Sequence, residues 1–205
     1  MQKVALLVLI CAFALAGCTS TPIAAPTPTP TPSPTIDPGP VALPTEQAGT
    51  YYLSAVCQGN VANDVLRAAF AAGEPEFLQG GEPDLTAVKA AAAEVTRVDR
   101  LLIEVLDDPY FTWPAGVAEQ IQYIRASMVA GLSTLNGYAN AARFSDAYYA
   151  TYPEQTAEQV SAPQEIRYQL ELSADTTASC VGYETRLDEL HAEMVDRNEY
   201  LATFG

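Results

Sequence analysis

Apolar residues recur at steps of three and four along most of the stretch between residues 50 and 201. This spacing places them on one face of an α-helix, whereas a half-buried strand needs apolar and polar residues in alternation. Alternating runs bounded by turn residues are missing from the same stretch of sequence. The pattern therefore predicts an all-α domain.

Four helices follow from this periodicity and from residues that favour helix ends. Short connections between amphipathic helices favour an up-down-up-down four-helix bundle, in which the third and fourth helices are the long ones. We expect a kink or short interruption at Asn136-Gly137, and the polar, β-branched run Ser173–Ser179 weakens the fourth helix. The predicted boundaries are Thr50–Ala72, Asp84–Asp107, Pro114–Ser145 and Ser161–Leu201.

The N-terminal segment has the composition of an export signal. Lys3 supplies a positive charge, an apolar run covers Val4–Leu15, and Leu15-Ala16-Gly17 leads into Cys18. The run is too short to cross a membrane, which takes about 20 apolar residues. A cysteine directly after Leu-Ala-Gly resembles the lipobox of bacterial lipoproteins. That resemblance implies cleavage before Cys18, acyl chains such as palmitate on the new N-terminus, and anchoring on the outer face of the cytoplasmic membrane.

Proline follows at nearly every second position for much of the segment after Cys18. Each proline fixes its own φ and moves the preceding residue out of the helical region, so the segment favours extended polyproline II and cannot form a core. The predicted organisation is a signal peptide at 1–17, a lipidated and disordered Thr/Pro-rich tether at 18–46, and a helical bundle domain at 47–205.

The cysteines predict one disulfide in this domain. Cys11 is removed with the signal and Cys18 carries the lipid, which leaves Cys57 and Cys180. The oxidising surroundings of an exported domain favour a bond between them. That bond makes the first and fourth helices neighbours and brings the C-terminal residues close to the loop at 109–114.

Composition and motifs argue against several classes of function. The formal net charge of −15 disfavours nucleic-acid binding, which needs clustered Lys and Arg. Arginine outnumbers lysine and alanine is abundant, as is typical of a high-GC bacterium such as an actinobacterium. The sequence contains no serine-hydrolase, zinc-protease or phosphate-loop motif. His191 is the only histidine, so a ferritin-like di-iron site is excluded. We expect a non-catalytic protein without a cofactor.

The candidate partner surface is aromatic. Tyr110, Phe111 and Trp113 lie in the loop before the third helix, and the predicted fold brings Tyr200 and Phe204 near them. Aromatic side chains are enriched in interface hot spots, although the same residues could simply close one end of the bundle. The expected function is therefore a protein- or envelope-binding module, held at the membrane by its lipid.

An alternative function is small-ligand or metal binding in a lipoprotein that serves a transporter. Asn60 and Asn63 lie near Thr177 in the predicted register and form either a buried polar patch beside the disulfide or part of a polar pocket. Tyr148, Tyr149, Tyr152 and Tyr168 form a second aromatic group. A cavity with converging polar groups favours this alternative, whereas a solid core favours the partner surface.

Overall fold

The computed structural model of the chain describes residues 39–204. The predicted signal peptide, Cys18 and the predicted tether up to residue 38 lie outside the described residues. The described part is mostly helical and contains the Cys57–Cys180 disulfide, so both of these predictions are confirmed. Its elements in chain order are β1 (Val41–Ala42), α1 (Thr45–Leu78), α2 (Thr86–Leu106), β2 (Phe111–Thr112), α3 (Ala115–Asn140), α4 (Phe144–Tyr148), α5 (Ala157–Gln169), α6 (Thr176–Ser179) and α7 (Arg186–Ala202).

The packing is centred on α2, which contacts α1 on one side and α3 on the other. Helix α5 packs on α3, and α7 packs on both α1 and α2. The apolar face of α2 is almost fully buried because the whole stripe faces these neighbours. The largest side chains with almost no exposed surface are Phe144, Ile121, Leu135, Ile166 and Leu187.

Helix α1 is longer than the predicted Thr50–Ala72, so the predicted end before Gly73 and Pro75, two residues that ordinarily stop a helix, is wrong. A Cβ atom on Gly73 would lie 2.5 Å from Cε2 of Phe144, so this glycine permits close packing inside the helix. Pro75 removes one helical hydrogen bond. The last turn is nevertheless held by Phe77, whose ring centroid lies 5.3 Å from that of Phe144. Tertiary packing therefore outweighs the local signal, and the chain turns only at Gly80, where φ is +86°.

The prediction of a long fourth helix is wrong, because that segment forms α5, α6 and α7. The break falls at the polar run Ser173–Ser179, which was expected to weaken the helix. Glu171 adopts a left-handed conformation with φ of 55°. Asp175 then accepts hydrogen bonds from the backbone N–H groups of Thr177 and Ala178, both at 3.0 Å, and so begins α6.

Two other helix boundaries differ from the prediction. Helix α3 continues through Asn136 and Gly137 without interruption, because the residues on either side of this pair are buried in the core. Helix α5 begins after Thr156 and not at Ser161, since Thr156 and Gln159 form the reciprocal hydrogen bonds of a capping box.

The predicted register between the first and last helices holds only at the disulfide. Two continuous helices would place Thr50 level with Leu187. In the structure Gln58 Nε2 donates to Asp188 Oδ2 at 2.7 Å, so α7 begins alongside the middle of α1. The irregular segment after α5 causes this shift, because α7 does not continue along the axis of α5 and can pack elsewhere on α1.

A short parallel pairing of β1 with β2 was not expected from the sequence. Val41 pairs with Phe111 and Ala42 with Thr112, and Val41 N donates to Tyr110 O at 2.7 Å. Val41 and Ala42 lie in the predicted tether. Their pairing connects the start of the described chain to the loop before α3.

Candidate ligand-binding site

A cavity of about 840 Å³ opens between α1, α2, α3 and α5. The segment 152–155, which precedes α5, covers one side of it. Its floor includes the buried Leu66 and Leu102, and its rim includes the exposed Asn63. Ligand pockets in proteins typically enclose about 300–1,000 Å³. The cavity is therefore large enough for a small organic molecule.

Asp99 contributes a carboxylate to this cavity. The residue is only 8% exposed, and no hydrogen bond from residues 39–204 reaches its side chain. Burial raises the pKa of Asp99 from its ordinary value of 3.8 to about 6. The carboxylate is thus mostly ionised at neutral pH, although no cation of the described chain pairs with it. A buried, unpaired charge at a cavity is a strong candidate for a ligand contact.

Asp99 was not among the site residues predicted from the sequence, although its position carried a signal. Val95 and Leu102 lie on the buried face of α2, and Asp99 lies between them at steps of four and three. An acidic residue on an otherwise apolar helix stripe is rare unless it has a partner, and this one could have been noted from spacing alone.

The Asp99→Asn variant should be more stable than the wild type at pH 7.5. The carboxyl pKa is near 6 in the folded protein and near 3.8 in the unfolded chain. Folding therefore becomes less favourable as the pH rises from about 4 to about 6, by up to about 3 kcal/mol. Asn removes this cost while keeping the side-chain shape. Urea unfolding should show a stability gain at pH 7.5 that disappears at pH 4; a loss of stability at pH 7.5 would mean that the carboxylate has a favourable partner in the fold.

Aromatic rings form one wall of the cavity. Phe70 of α1 packs edge-on against Tyr138 of α3, with centroids 5.2 Å apart, and Tyr138 packs against Tyr152 at 5.9 Å. Gly131 permits the close approach of Tyr152, because a Cβ atom on residue 131 would lie 3.1 Å from Cε1 of Tyr152. The Tyr138 hydroxyl donates to the carbonyl of Ala150 at 3.2 Å, which holds the chain leading into Tyr152. The wall is therefore built by three separate segments.

A buried cation contributes to another part of the lining. Arg167 of α5 is 2% exposed, and its Nη1 donates to the Ser173 carbonyl at 2.8 Å and to Ser179 Oγ at 2.7 Å. These bonds tie α5 to the irregular segment before α7. Tyr52 also lines the cavity, and burial raises its pKa to about 12 despite the opposing effect of Arg167. The main role of Arg167 is thus to fix the segment that carries Cys180.

The asparagines predicted beside the disulfide lie at the edge of the cavity. Asn60 and Asn63 are exposed and line it, together with Thr176. Asn60 Nδ2 approaches Cys180 Sγ at 3.5 Å, and Asn63 Nδ2 donates to the Gly59 carbonyl at 2.9 Å. Of the two alternatives left open by the sequence, this arrangement corresponds to a polar pocket edge and not to a buried patch.

The aromatic loop before α3 is held against the rest of the domain. The Tyr51 ring packs edge-on against Phe111 at 5.1 Å and against Trp113 at 5.6 Å. The Arg197 guanidinium lies 4.2 Å from the centre of the Tyr110 ring. The loop therefore meets the C-terminal helix, as the sequence predicted, and all three of its aromatic residues are at least half-covered.

The remaining predicted residues do not join that loop into one aromatic cluster. Tyr200 and Phe204 pack against each other, with ring centroids 4.9 Å apart, and Phe204 is 71% exposed.

The other predicted residues lie elsewhere in the domain. His191 Nε2 lies 2.7 Å from Glu104 Oε2 at the contact between α7 and α2. In the second tyrosine group, Tyr148 and Tyr149 pack at the end of α1, Tyr152 lines the cavity, and Tyr168 is exposed.

Comparisons with known proteins give no assignment: no family model, curated protein or solved structure matches the chain. Among residues 39–204, no group of three or more His, Cys, Asp or Glu side chains is placed to hold a metal ion. No helix in this described range has both the length and the hydropathy to cross a membrane.

Proposed function

We propose that this chain is a membrane-anchored lipoprotein whose helical domain binds a small organic ligand in the cavity lined by Asp99. The observation that carries the proposal is the unpaired carboxylate of Asp99, a residue only 8% exposed, which lines a cavity of about 840 Å³. Burying an ion without a partner costs free energy. Unpaired charges of this kind are typical of functional sites, where the bound ligand supplies the opposite charge.

We infer that the domain is a four-helix bundle whose fourth helix has been divided. Helix α5 packs on α3, while α7 packs on α1 and α2. This division moves α5 away from the position that a continuous fourth helix would occupy. The space so opened between α1 and α5 is where the cavity lies. The irregular segment between the two halves, fixed by the disulfide and by Arg167, thereby supports the site.

The partner-binding alternative receives less support from the contacts. Tyr110, Phe111 and Trp113 are occupied by contacts with Tyr51 and Arg197 within the domain. Their packing is sufficient to explain why aromatic residues are present in this loop. The exposed Phe204 remains available for a partner, but a single exposed ring is ordinary for a protein surface.

The anchoring part of the proposal depends on Cys18 and the lipobox resemblance. It places the domain on the outer face of the cytoplasmic membrane, where a ligand-binding lipoprotein could deliver its ligand to a transporter. Changing Cys18 to Ser should release the protein from the membrane fraction, because stable anchoring depends on the acyl chains. An azido fatty acid should label the wild type and not the variant. Equal membrane association of both proteins would contradict the lipid anchor.

The ligand-binding part can be tested with a cavity-blocking variant. Ala130 of α3 is exposed and lines the cavity, whereas Ala126, one turn earlier, is exposed and lies outside it. A library of metabolite-sized compounds is screened for those that raise the melting temperature of the full chain. A compound at 100 times its Kd adds about 2.7 kcal/mol of stability.

Compounds that bind the cavity should lose this effect on the Ala130→Trp variant and keep it on the Ala126→Trp control. Tryptophan at 130 occupies the mouth of the cavity, while tryptophan at 126 adds the same bulk elsewhere on the helix. A library without any stabilising compound, or compounds that act equally on both variants, would contradict the proposed function.

A further inference from the structure

We propose that the ligand carries a protonated or quaternary amine, for which Asp99 is the counter-ion and the tyrosine wall is the surrounding surface. This inference rests on the proposed function and names the chemical class of the ligand. It concerns the cavity between α1, α2, α3 and α5 alone.

The first argument is the environment of Asp99. The residue is 92% buried within the fold, since 8% of it is exposed, and the described chain directs no donor at it. Burial, and after it the charges of Tyr138 and Asp99, raise the pKa of Tyr152, and Tyr138 packs on Tyr152. Phenols are neutral at physiological pH, so the negative charge of Asp99 is left unbalanced. An ammonium group supplies both the opposite charge and the hydrogen-bond donors.

The second argument is the aromatic wall. Phe70, Tyr138 and Tyr152 form a continuous series of edge-to-face contacts along the cavity, and Tyr52 adds a fourth ring to the lining. Organic cations bind favourably over aromatic faces, and several rings around one site are the usual means of recognising quaternary ammonium groups. Thus a carboxylate and aromatic rings, the two features that favour an organic cation, occur in the same cavity.

The positive groups of the lining do not cancel this preference. Arg167 is engaged by the Ser173 carbonyl and Ser179 Oγ, and it forms no ion pair with Asp99 in the described chain. Arg67 on the rim pairs with the neighbouring Asp64. The formal net charge of −15 also draws cations toward the protein.

Matched probe pairs test the inference on the full chain. Choline and 3,3-dimethyl-1-butanol share a shape and differ in charge, as do phenethylamine and 2-phenylethanol. At pH 7.5, calorimetry should show that at least one amine binds about tenfold or more tightly than its neutral counterpart. Asp99→Asn should remove that preference. Asp196→Asn, which makes the same change at an exposed carboxylate outside the cavity, should keep it.

A pH series with choline separates Asp99 from a general charge effect. Choline stays cationic at every pH, so only the protein titrates. Its affinity for the wild type should fall by about tenfold between pH 7.5 and pH 5, as the carboxylate is protonated, while the affinity of Asp99→Asn should not change.

Equal binding of charged and neutral probes by the wild type would overturn the inference and leave the proposed function intact. An amine preference that survives in Asp99→Asn would also overturn it. Absence of binding by all four compounds at millimolar concentration would overturn the inference as well. The proposed function fails only if the compound library also yields no compound specific for the cavity.

Discussion

Replacing Arg197 by Leu should lower the free energy of unfolding by about 3–5 kcal/mol, because it leaves a buried carboxylate without its counter-ion. Arg197 forms an ion pair with Asp108, and the two side chains are 13% and 1% exposed. Asp108 also accepts a hydrogen bond from the backbone N–H of Tyr110 at 3.2 Å, so it cannot turn out into solvent without breaking the loop. Urea unfolding at pH 7 measures the loss.

A second variant separates the unpaired charge from lost packing. The Asp108→Asn/Arg197→Leu double variant removes both charges and should recover part of the stability that Arg197→Leu alone loses. Arg67→Leu is the surface control: Arg67 pairs with Asp64, but both side chains are more than half exposed, so its unfolding curve should match that of the wild type. A loss below about 1 kcal/mol for Arg197→Leu would show that Asp108 is solvated and that this end of the domain is open.

Removing the disulfide should cost about 2–4 kcal/mol. The bond joins residues separated by 123 positions, so it strongly restricts the unfolded chain. In the folded protein it ties α1 to the segment after α5, which is exposed over most of residues 173–179 and has little core of its own. The Cys57→Ala/Cys180→Ala variant should therefore be less stable in urea, and amide exchange should accelerate most in residues 171–185.

The local effect matters for the cavity as well as for stability. Arg167 is held by Ser173 and Ser179 in the segment that the disulfide fixes, so the variant should also bind cavity ligands more weakly. Peptide mapping without reductant should find the peptides of Cys57 and Cys180 joined in the wild type. Unchanged exchange in residues 171–185 of the variant would contradict this role of the bond.

Much of the helical framework could be predicted from the sequence. The buried stripe of α2 follows the predicted spacing, and Asp84 accepts a hydrogen bond from the Thr86 N–H at 3.0 Å, as expected for a residue at the start of a helix. The Pro114 signal also gives the start of α3 to within one residue. These features are local, since they depend on neighbouring residues along one helix.

The two main errors in the fold have different physical causes. Gly73 and Pro75 are strong stop signals in isolation, yet the packing of Phe77 and Phe144 carries α1 past them. Conversely, the predicted fourth helix is broken at the polar run Ser173–Ser179, where Asp175 begins α6 by accepting hydrogen bonds from the N–H groups of Thr177 and Ala178. The continuation of α1 is thus due to a contact between segments distant in sequence, which periodicity does not reveal, whereas the break before α6 is due to local residues.

The candidate site depends even more on such contacts. Asn60 and Asn63 were identified from their position beside Cys57, and they do line the cavity. The cavity itself is lined by residues of α1, α2, α3 and α5, which lie far apart in sequence, so only the assembled fold forms it. Asp99 was recognisable as an acid on a buried stripe, but its lack of a partner is visible only in the assembled fold.

The most direct measurement is native mass spectrometry of the full chain isolated from the membranes of the organism that produces it. Wild type and the Ala126→Trp control should each carry an additional mass from a bound small organic molecule, and Ala130→Trp should not. Molecules released on unfolding of the wild type should contain a protonated or quaternary nitrogen. Identical masses for the wild type and Ala130→Trp, both equal to that of the lipidated chain alone, would contradict ligand binding in this cavity.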